Sequence, residues 1–176
     1  IIVTILSGFY LTYFVSSAVD IHDEKGQFFV LFILLIIIFS DVGGYIVGKN
    51  IGGVKLTKIS PNKTVSGSLG SFLFSLFPLG LLILIINFSE INLGESITEF
   101  YWGSMFLEGF INGIVLCLTL SFVSQVGDLI ISYFKRLNKV KDTGTILPGH
   151  GGLLDRIDGI IFAIPITYIL KITQIF

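Results

Sequence analysis

Apolar runs long enough to cross a bilayer recur along this chain, and each is cut off from the next by a polar stretch. A spanning helix needs about 20 mostly apolar residues. Five segments meet or nearly meet that length: Ile1 to Val19, Phe28 to Val47, Ser68 to Phe88, Met105 to Val126, and Ile157 to Ile175. In hydrocarbon a segment must satisfy its own backbone polar groups, so such runs fold as helices. The expected fold is all-α, a polytopic transmembrane helical bundle of about five spanning helices. Charged residues make up 13% of the chain, against about 25% in soluble domains, which is too little polar cover for a globule in water. The chain opens at Ile1 inside an apolar stretch, with no basic region before it and no small-residue cleavage site after it, so this run is not expected to be a signal peptide. The expectation is a fragment whose upstream spans are missing.

Loop charges orient the stack, because Lys and Arg are retained on the cytoplasmic side. The loop from Asp20 to Gln27 carries Asp20, Asp23 and Glu24 against Lys25, and the loop from Ser89 to Ser104 carries Glu90, Glu95 and Glu99 without a base. Between them, Gly48 to Gly67 carries Lys49, Lys55, Lys58 and Lys63 without an acid. Gly127 to Arg156 carries Lys135, Arg136, Lys139, Lys141 and Arg156. Basic and acidic loops alternate, so both basic loops share the cytoplasmic side. A net charge of −1 offers no global field for nucleic acid. The single cysteine, Cys117, lies in an apolar run, forms no intramolecular disulfide and reads as core packing. Gly44, Gly48 and Gly52 recur at every fourth residue, as do Gly109 and Gly113, and such rows let membrane helices approach closely.

Polar chemistry concentrates between Ser121 and Gly159. Ser124, Asp128, Ser132 and Lys135 stand at i, i+4, i+8 and i+11, one face of a helix that continues past the fourth span. Leu147-Pro148-Gly149-His150-Gly151-Gly152 forbids a helix and favours a tight loop whose N–H groups can face an anion. Asp155 and Asp158 follow on the first turn of the last span, where the helix dipole favours acids in any case. Together with the neighbouring bases, Asp128, Asp155 and Asp158 make a set suited to transfer at phosphorus. Carboxylates hold Mg²⁺ one or two at a time while substrate phosphates complete its shell, and bases neutralise developing charge. Ser60, Lys63 and Thr64 in the other basic loop suit a phosphate, and Asp41, an acid inside the second span, is costly there and reads as functional. Gly43-x4-Gly48-Lys49-Asn50 is a decoy: it lacks the Ser or Thr that a phosphate-binding P-loop needs after its Lys, and it follows a span where a strand is required.

The run Ser132-x-Phe134-Lys135-Arg136-x4-Lys141-Asp142-x-Gly144-x2-Leu147-Pro148-x-His150-Gly151-Gly152-x-Leu154-Asp155-Arg156-Ile157-Asp158 resembles the signature of the phosphatidate cytidylyltransferase (CDP-diglyceride synthetase) family. Asp41-x3-Tyr45-x2-Gly48 and Ile59-Ser60-Pro61-x-Lys63-Thr64-x2-Gly67 resemble that family's other cytoplasmic segment. Two positions depart from it: Val65-Ser66-Gly67 stands where Trp-Glu-Gly is usual, and Asn62 where a Lys is usual. The resemblance implies Mg²⁺-dependent attack by the phosphate of phosphatidic acid on the α-phosphorus of CTP, giving CDP-diacylglycerol and pyrophosphate. It implies Asp128 and Asp155 as metal ligands, with a monovalent cation such as K⁺ beside the Mg²⁺, and Asp158 in support. Lys135, Arg136 and Arg156 would hold phosphates, and Ser60, Lys63, Thr64, Ser132, Lys141 and His150 would contact substrate. The expected partners are CTP, phosphatidic acid, membrane lipid and a second copy of the chain as a homodimer, with no nucleic acid. The expected location is a bacterial-type inner membrane with the site on its cytoplasmic side. On this reading 1–48 are membrane spans, 49–67 a cytoplasmic loop, and 68–176 the C-terminal catalytic membrane region with a cytoplasmic segment at 127–156.

Two rival functions share some of these features. A transporter also places polar residues in spans, but near the midplane, whereas here acids and bases gather at one edge. A CTP-dependent polyprenol or phytol kinase has similar segments, and the extended His-Gly-Gly-x-x-Asp-Arg-x-Asp run favours the cytidylyltransferase over it. A CDP-alcohol phosphotransferase needs an aspartate spacing that is absent here.

Overall fold

The computed structural model describes residues 2–57, 60, 62–88, 106–140, 143–144, 152 and 154–172. Among them six helices occur: α1 (Ile2–Lys25), α2 (Gln27–Ile51), α3 (Val65–Ser75), α4 (Phe77–Phe88), α5 (Phe106–Leu137) and α6 (Leu154–Ile172). Each expected span is helical over its described residues apart from a break at Leu76 in the third. Among the described residues three stretches are long and apolar enough to cross a membrane on length and composition alone, Gln27–Ile51, Val65–Ile85 and Gly109–Leu137. The fold is a membrane helical bundle, as the apolar runs require.

The third span departs from a single rod. It breaks at Leu76 between α3 and α4, where the Leu76 N–H turns to the nearer carbonyls of Leu73, at 3.3 Å, and Phe74. Pro78 is the physical reason, since it has no N–H to donate and its ring crowds the carbonyl four residues earlier. A second proline, Pro165, lies inside α6 and leaves the Ile161 carbonyl without its helical donor. The hydroxyl of Tyr10 on α1 donates to that carbonyl at 3.2 Å, so a neighbouring helix satisfies the group that proline freed. Tyr13 meets Tyr168 edge-on, and Lys171 pairs with Glu24 further along. These contacts advance together along both helices, so α1 and α6 run side by side in one direction.

Where helices cross closely, side chains are missing. A Cβ on Gly67 would stand 2.8 Å from the Gly44 carbonyl, and one on Gly70 would stand 2.8 Å from the Gly43 carbonyl. Gly48 faces Thr64 and Gly67. The Gly44 and Gly48 row thus serves helix approach, with α3 as its partner. Gly52 does not share that role: it ends α2 at φ +65, its N–H bonded to the Gly48 carbonyl at 3.0 Å, a left-handed turn that glycine adopts without a Cβ clash. Gly127 and Gly159 form a second close crossing, between α5 and α6. A Cβ on Gly127 would stand 3.1 Å from the Asp158 carbonyl, and one on Gly159 would collide with Ser124 Oγ. Ile33, Ile36 and Ile37 of α2, Leu79 of α4, and Leu116, Cys117 and Leu120 of α5 fill the centre with Ala163 and Ile164 of α6. Leu69, Leu73 and Phe122 are exposed outward, as lipid-facing side chains must be.

Candidate active site

The bundle's basic end holds a cavity of about 330 Å³. Four segments build it, each for a local reason. Gly52 and Gly53, both at positive φ, turn the chain out of α2. The segment then folds back on itself: Leu56 N–H bonds the Lys63 carbonyl at 2.8 Å, and Val65 N–H bonds the Val54 carbonyl at 3.0 Å. Thr64 closes this turn and caps α3, its Oγ1 accepting from Gly67 N–H at 3.1 Å. A β-region Thr before the first helical turn is a standard cap. Ser60, Asn62, Lys63 and Thr64 therefore line the cavity on one side.

The opposite wall is α5. Asp128 lines the cavity and is the hub of its charges. Its Oδ2 is ion-paired with Lys63 Nζ, and its Oδ1 accepts from Ser132 Oγ at 3.2 Å. The Asp158 carboxyl, at the start of α6, lies against that of Asp128 and within the field of Lys135. Its Oδ1 also accepts the Gly159 N–H at 2.8 Å. Asp41 enters from α2, lines the cavity, and lies within electrostatic reach of Asp128 and Lys63. Three carboxylates from three helices thus converge with two ammonium groups. The Gly127–Gly159 crossing is what brings Asp128 and Asp158 together, because any Cβ there would push α6 away from α5.

Of the residues the sequence singles out, the structure gathers Asp41, Ser60, Lys63, Thr64, Asp128, Ser132, Lys135 and Asp158 in and around this cavity. Arg136 stands apart: it is exposed, and its guanidinium donates to the Val140 carbonyl at 3.4 Å beyond the end of α5. Ser124 is buried against Gly159 and does not line the cavity, so the polar stripe of α5 serves the site only from Asp128 onward. Asp155 and Arg156 stand on the first turn of α6, and their side chains lie outside the described residues, as do Lys141 and His150. The decoy Gly43 to Asn50 is helical throughout, with Lys49 Nζ over the Tyr45 ring.

Sequence reasoning missed a row of hydrogen bonds below the cavity. Ser40 Oγ and Ser121 Oγ share one of 2.7 Å, Gln125 Nε2 donates to Ser121 Oγ at 3.2 Å, and Ser68 Oγ donates to Gln125 Oε1 at 2.6 Å. The available signal was the spacing of Ser121, Gln125, Asp128 and Ser132, which share one helix face.

Among the described residues no three His, Cys, Asp or Glu side chains form a ready-made metal cage. Mg²⁺ does not ask for one, since it usually takes one or two carboxylates and completes its shell with water and substrate phosphates. Adjacent carboxylates such as Asp128 and Asp158 repel unless a cation or proton lies near, so this donor set fits a small hard cation.

Comparison with known proteins gives a consistent result. The cytidylyltransferase family matches residues 1–173. The chain is 39% identical over 151 residues to a protein of Staphylococcus saprophyticus named phosphatidate cytidylyltransferase, covering 85% of this chain and 51% of that one. A protein of the same name from Rickettsia bellii is 40% identical over 132 residues, 74% of this chain and 52% of that protein. Another from Staphylococcus haemolyticus is 36% identical over 166 residues, 94% and 55% respectively. The chain therefore spans about half the length of the curated relatives it matches.

Proposed function

Because the chain belongs to the cytidylyltransferase family, we propose that it carries the catalytic portion of an integral membrane enzyme that transfers the cytidylyl group of CTP to phosphatidic acid. A phosphate oxygen of phosphatidic acid attacks the α-phosphorus of CTP. The bond from that phosphorus to the oxygen bridging to the β-phosphorus breaks, and CDP-diacylglycerol and pyrophosphate result. The observation that carries this reading is the Asp128–Asp158 pair at the rim of a cavity that also holds Lys63 and the capped start of α3. The attacking phosphate is already anionic, so the site has no need of a strong base. Its task is to bring two polyanions together.

Asp128 and Asp158, with Asp155 on the same first turn of α6, are the residues that would hold Mg²⁺, with a monovalent cation such as K⁺ beside it. When bound, Mg²⁺ would offset phosphate charge and polarise the α-phosphorus. Lys63 and Lys135 bind phosphate oxygens as point charges, and Arg156, Lys141 and His150 extend the basic rim, while Arg136, which stands apart from the cavity, adds only to the positive charge of that end. The start of α3, where Thr64 and Gly67 line the cavity, adds the positive end of a helix dipole. Ser60 and Ser132 orient substrate by hydrogen bonds. Both basic loops point to the cytoplasmic side of a bacterial-type inner membrane, where CTP is dissolved and the headgroup of phosphatidic acid is within reach. A homodimer is the expected assembly.

The test is radiolabelled CTP with phosphatidic acid vesicles and the full-length protein, read as lipid-soluble label and pyrophosphate. Mg²⁺-dependent formation of both is the expected result. Labelled phosphate moved from the γ-position to an alcohol would favour the polyprenol kinase, and vesicle flux without pyrophosphate would favour a transporter.

A further inference from the structure

Gln125 is a polar side chain of the cavity wall that neither the sequence motifs nor the proposed chemistry uses. It lines the cavity one helical turn before Asp128, within a helix apolar enough to cross a membrane. Both ends of its amide are held. Oε1 accepts from Ser68 Oγ of α3 at 2.6 Å, and Nε2 donates to Ser121 Oγ at 3.2 Å. Ser121 is fully buried and shares its 2.7 Å bond with the equally buried Ser40 of α2. An amide in hydrocarbon without partners is costly, so this geometry is hard to leave. The amide bonds α3 directly and, through Ser121, is joined to Ser40 of α2. Rotation or sliding of α5 by even a fraction of a turn would break this connection, and the same movement would carry Asp128 away from Lys63 and Asp158.

We propose that Gln125 is a positioning residue, an amide clamp that fixes the rotation and depth of α5 and so sets the Asp128 carboxylate at the cation-binding rim. This rests on the reading of Asp128 as a metal ligand. Interhelical hydrogen bonds in bilayers are individually weak, so the bundle survives their loss. Site geometry is far less forgiving, and groups that orient metal ligands typically change affinity or activity about 10- to 100-fold when removed.

The experiment is a Mn²⁺ titration of the substrate-free full-length protein in nanodiscs, followed by electron paramagnetic resonance of the free ion, beside kinetics with CTP. Gln125→Leu is expected to weaken Mn²⁺ binding about tenfold or more and to lower kcat in step. Its KM for CTP and its unfolding temperature stay near those of the parent. Ser68→Ala reproduces a smaller loss, and Ser68→Thr, which keeps the hydroxyl, restores binding. Asp128→Asn is the control. If it abolishes Mn²⁺ binding while Gln125→Leu and Ser68→Ala leave it intact, the clamp is wrong and the metal reading stands. A Gln125→Leu protein with raised KM and unchanged Mn²⁺ affinity would make Gln125 a substrate contact, which also overturns the clamp. If Asp128→Asn still binds Mn²⁺ as the parent does, the metal reading fails and the clamp falls with it.

Discussion

Lys63, at the end of the turn before α3, is ion-paired with Asp128 of α5, with each side chain about a third exposed. The lysine therefore occupies the carboxylate that the proposed chemistry assigns to a metal ion. A cation bound through Oδ2 would displace the ammonium group, which is then free for a phosphate.

This relationship gives Lys63→Met two effects of opposite sign. Without nucleotide, the variant should bind Mn²⁺ several-fold more tightly, in keeping with an exposed pair worth about 1 kcal/mol or less. With CTP, turnover should fall by about tenfold or more, the scale on which lost transition-state charge stabilisation is felt. Tighter metal binding together with weaker turnover is the signature. A loss of both would show that Lys63 supports Asp128 and does not compete for it.

Asp128→Asn and Asp155→Asn should each remove Mg²⁺-dependent turnover by about 100-fold or more, as expected when charge stabilisation of the transition state is lost. The protein should stay folded, because Asp128 sits at a solvated rim and outside the buried core. Circular dichroism and size-exclusion profiles like the parent's, beside an activity assay, check this. Near-normal activity in Asp155→Asn would remove it from the ligand set.

The α2–α3 crossing is expected to be intolerant of any side chain. A Cβ on Gly70 would stand 2.5 Å from Val47 Cβ and 2.8 Å from the Gly43 carbonyl. Overpacking of this kind costs about 1–3 kcal/mol, so Gly70→Ala should lower the unfolding temperature in detergent. It should also reduce activity by more than the folded fraction explains, because the same crossing carries Asp41 and Thr64. Gly8→Ala is the control, since a Cβ there meets nothing within 4 Å.

Tyr10 and Pro165 should be energetically coupled. Tyr10→Phe leaves the Ile161 carbonyl unpaired, at a cost of about 1–3 kcal/mol. In a Pro165→Ala background, residue 165 regains an N–H for that carbonyl, and the same Tyr10→Phe change should cost little. A double-mutant cycle by denaturant unfolding measures the difference. Equal penalties in both backgrounds would rule out the coupling.

The sequence by itself determined the helices, because in hydrocarbon an apolar run has no other way to satisfy its backbone. It also determined which ends of the bundle are basic, and it named Asp155 and Asp158 through one motif, Lys63 through a second, and Asp128 through its place on a polar helix face. Pro78 and Pro165 were visible as letters, yet whether each breaks a helix or is absorbed depended on what lay beside it. α3 and α4 separate at Leu76, while Tyr10 of α1 covers the carbonyl freed in α6. Only the tertiary structure decided that Asp128 meets Lys63 and Asp158, that Ser124 belongs to packing, and that Gln125 joins the site through Ser68 and Ser121. The reason is that helices in a bilayer gain no hydrophobic energy by touching one another. Their crossings are set by where side chains are missing and where polar groups find partners across the interface. Residues far apart in the chain settle both, and no local pattern records the outcome.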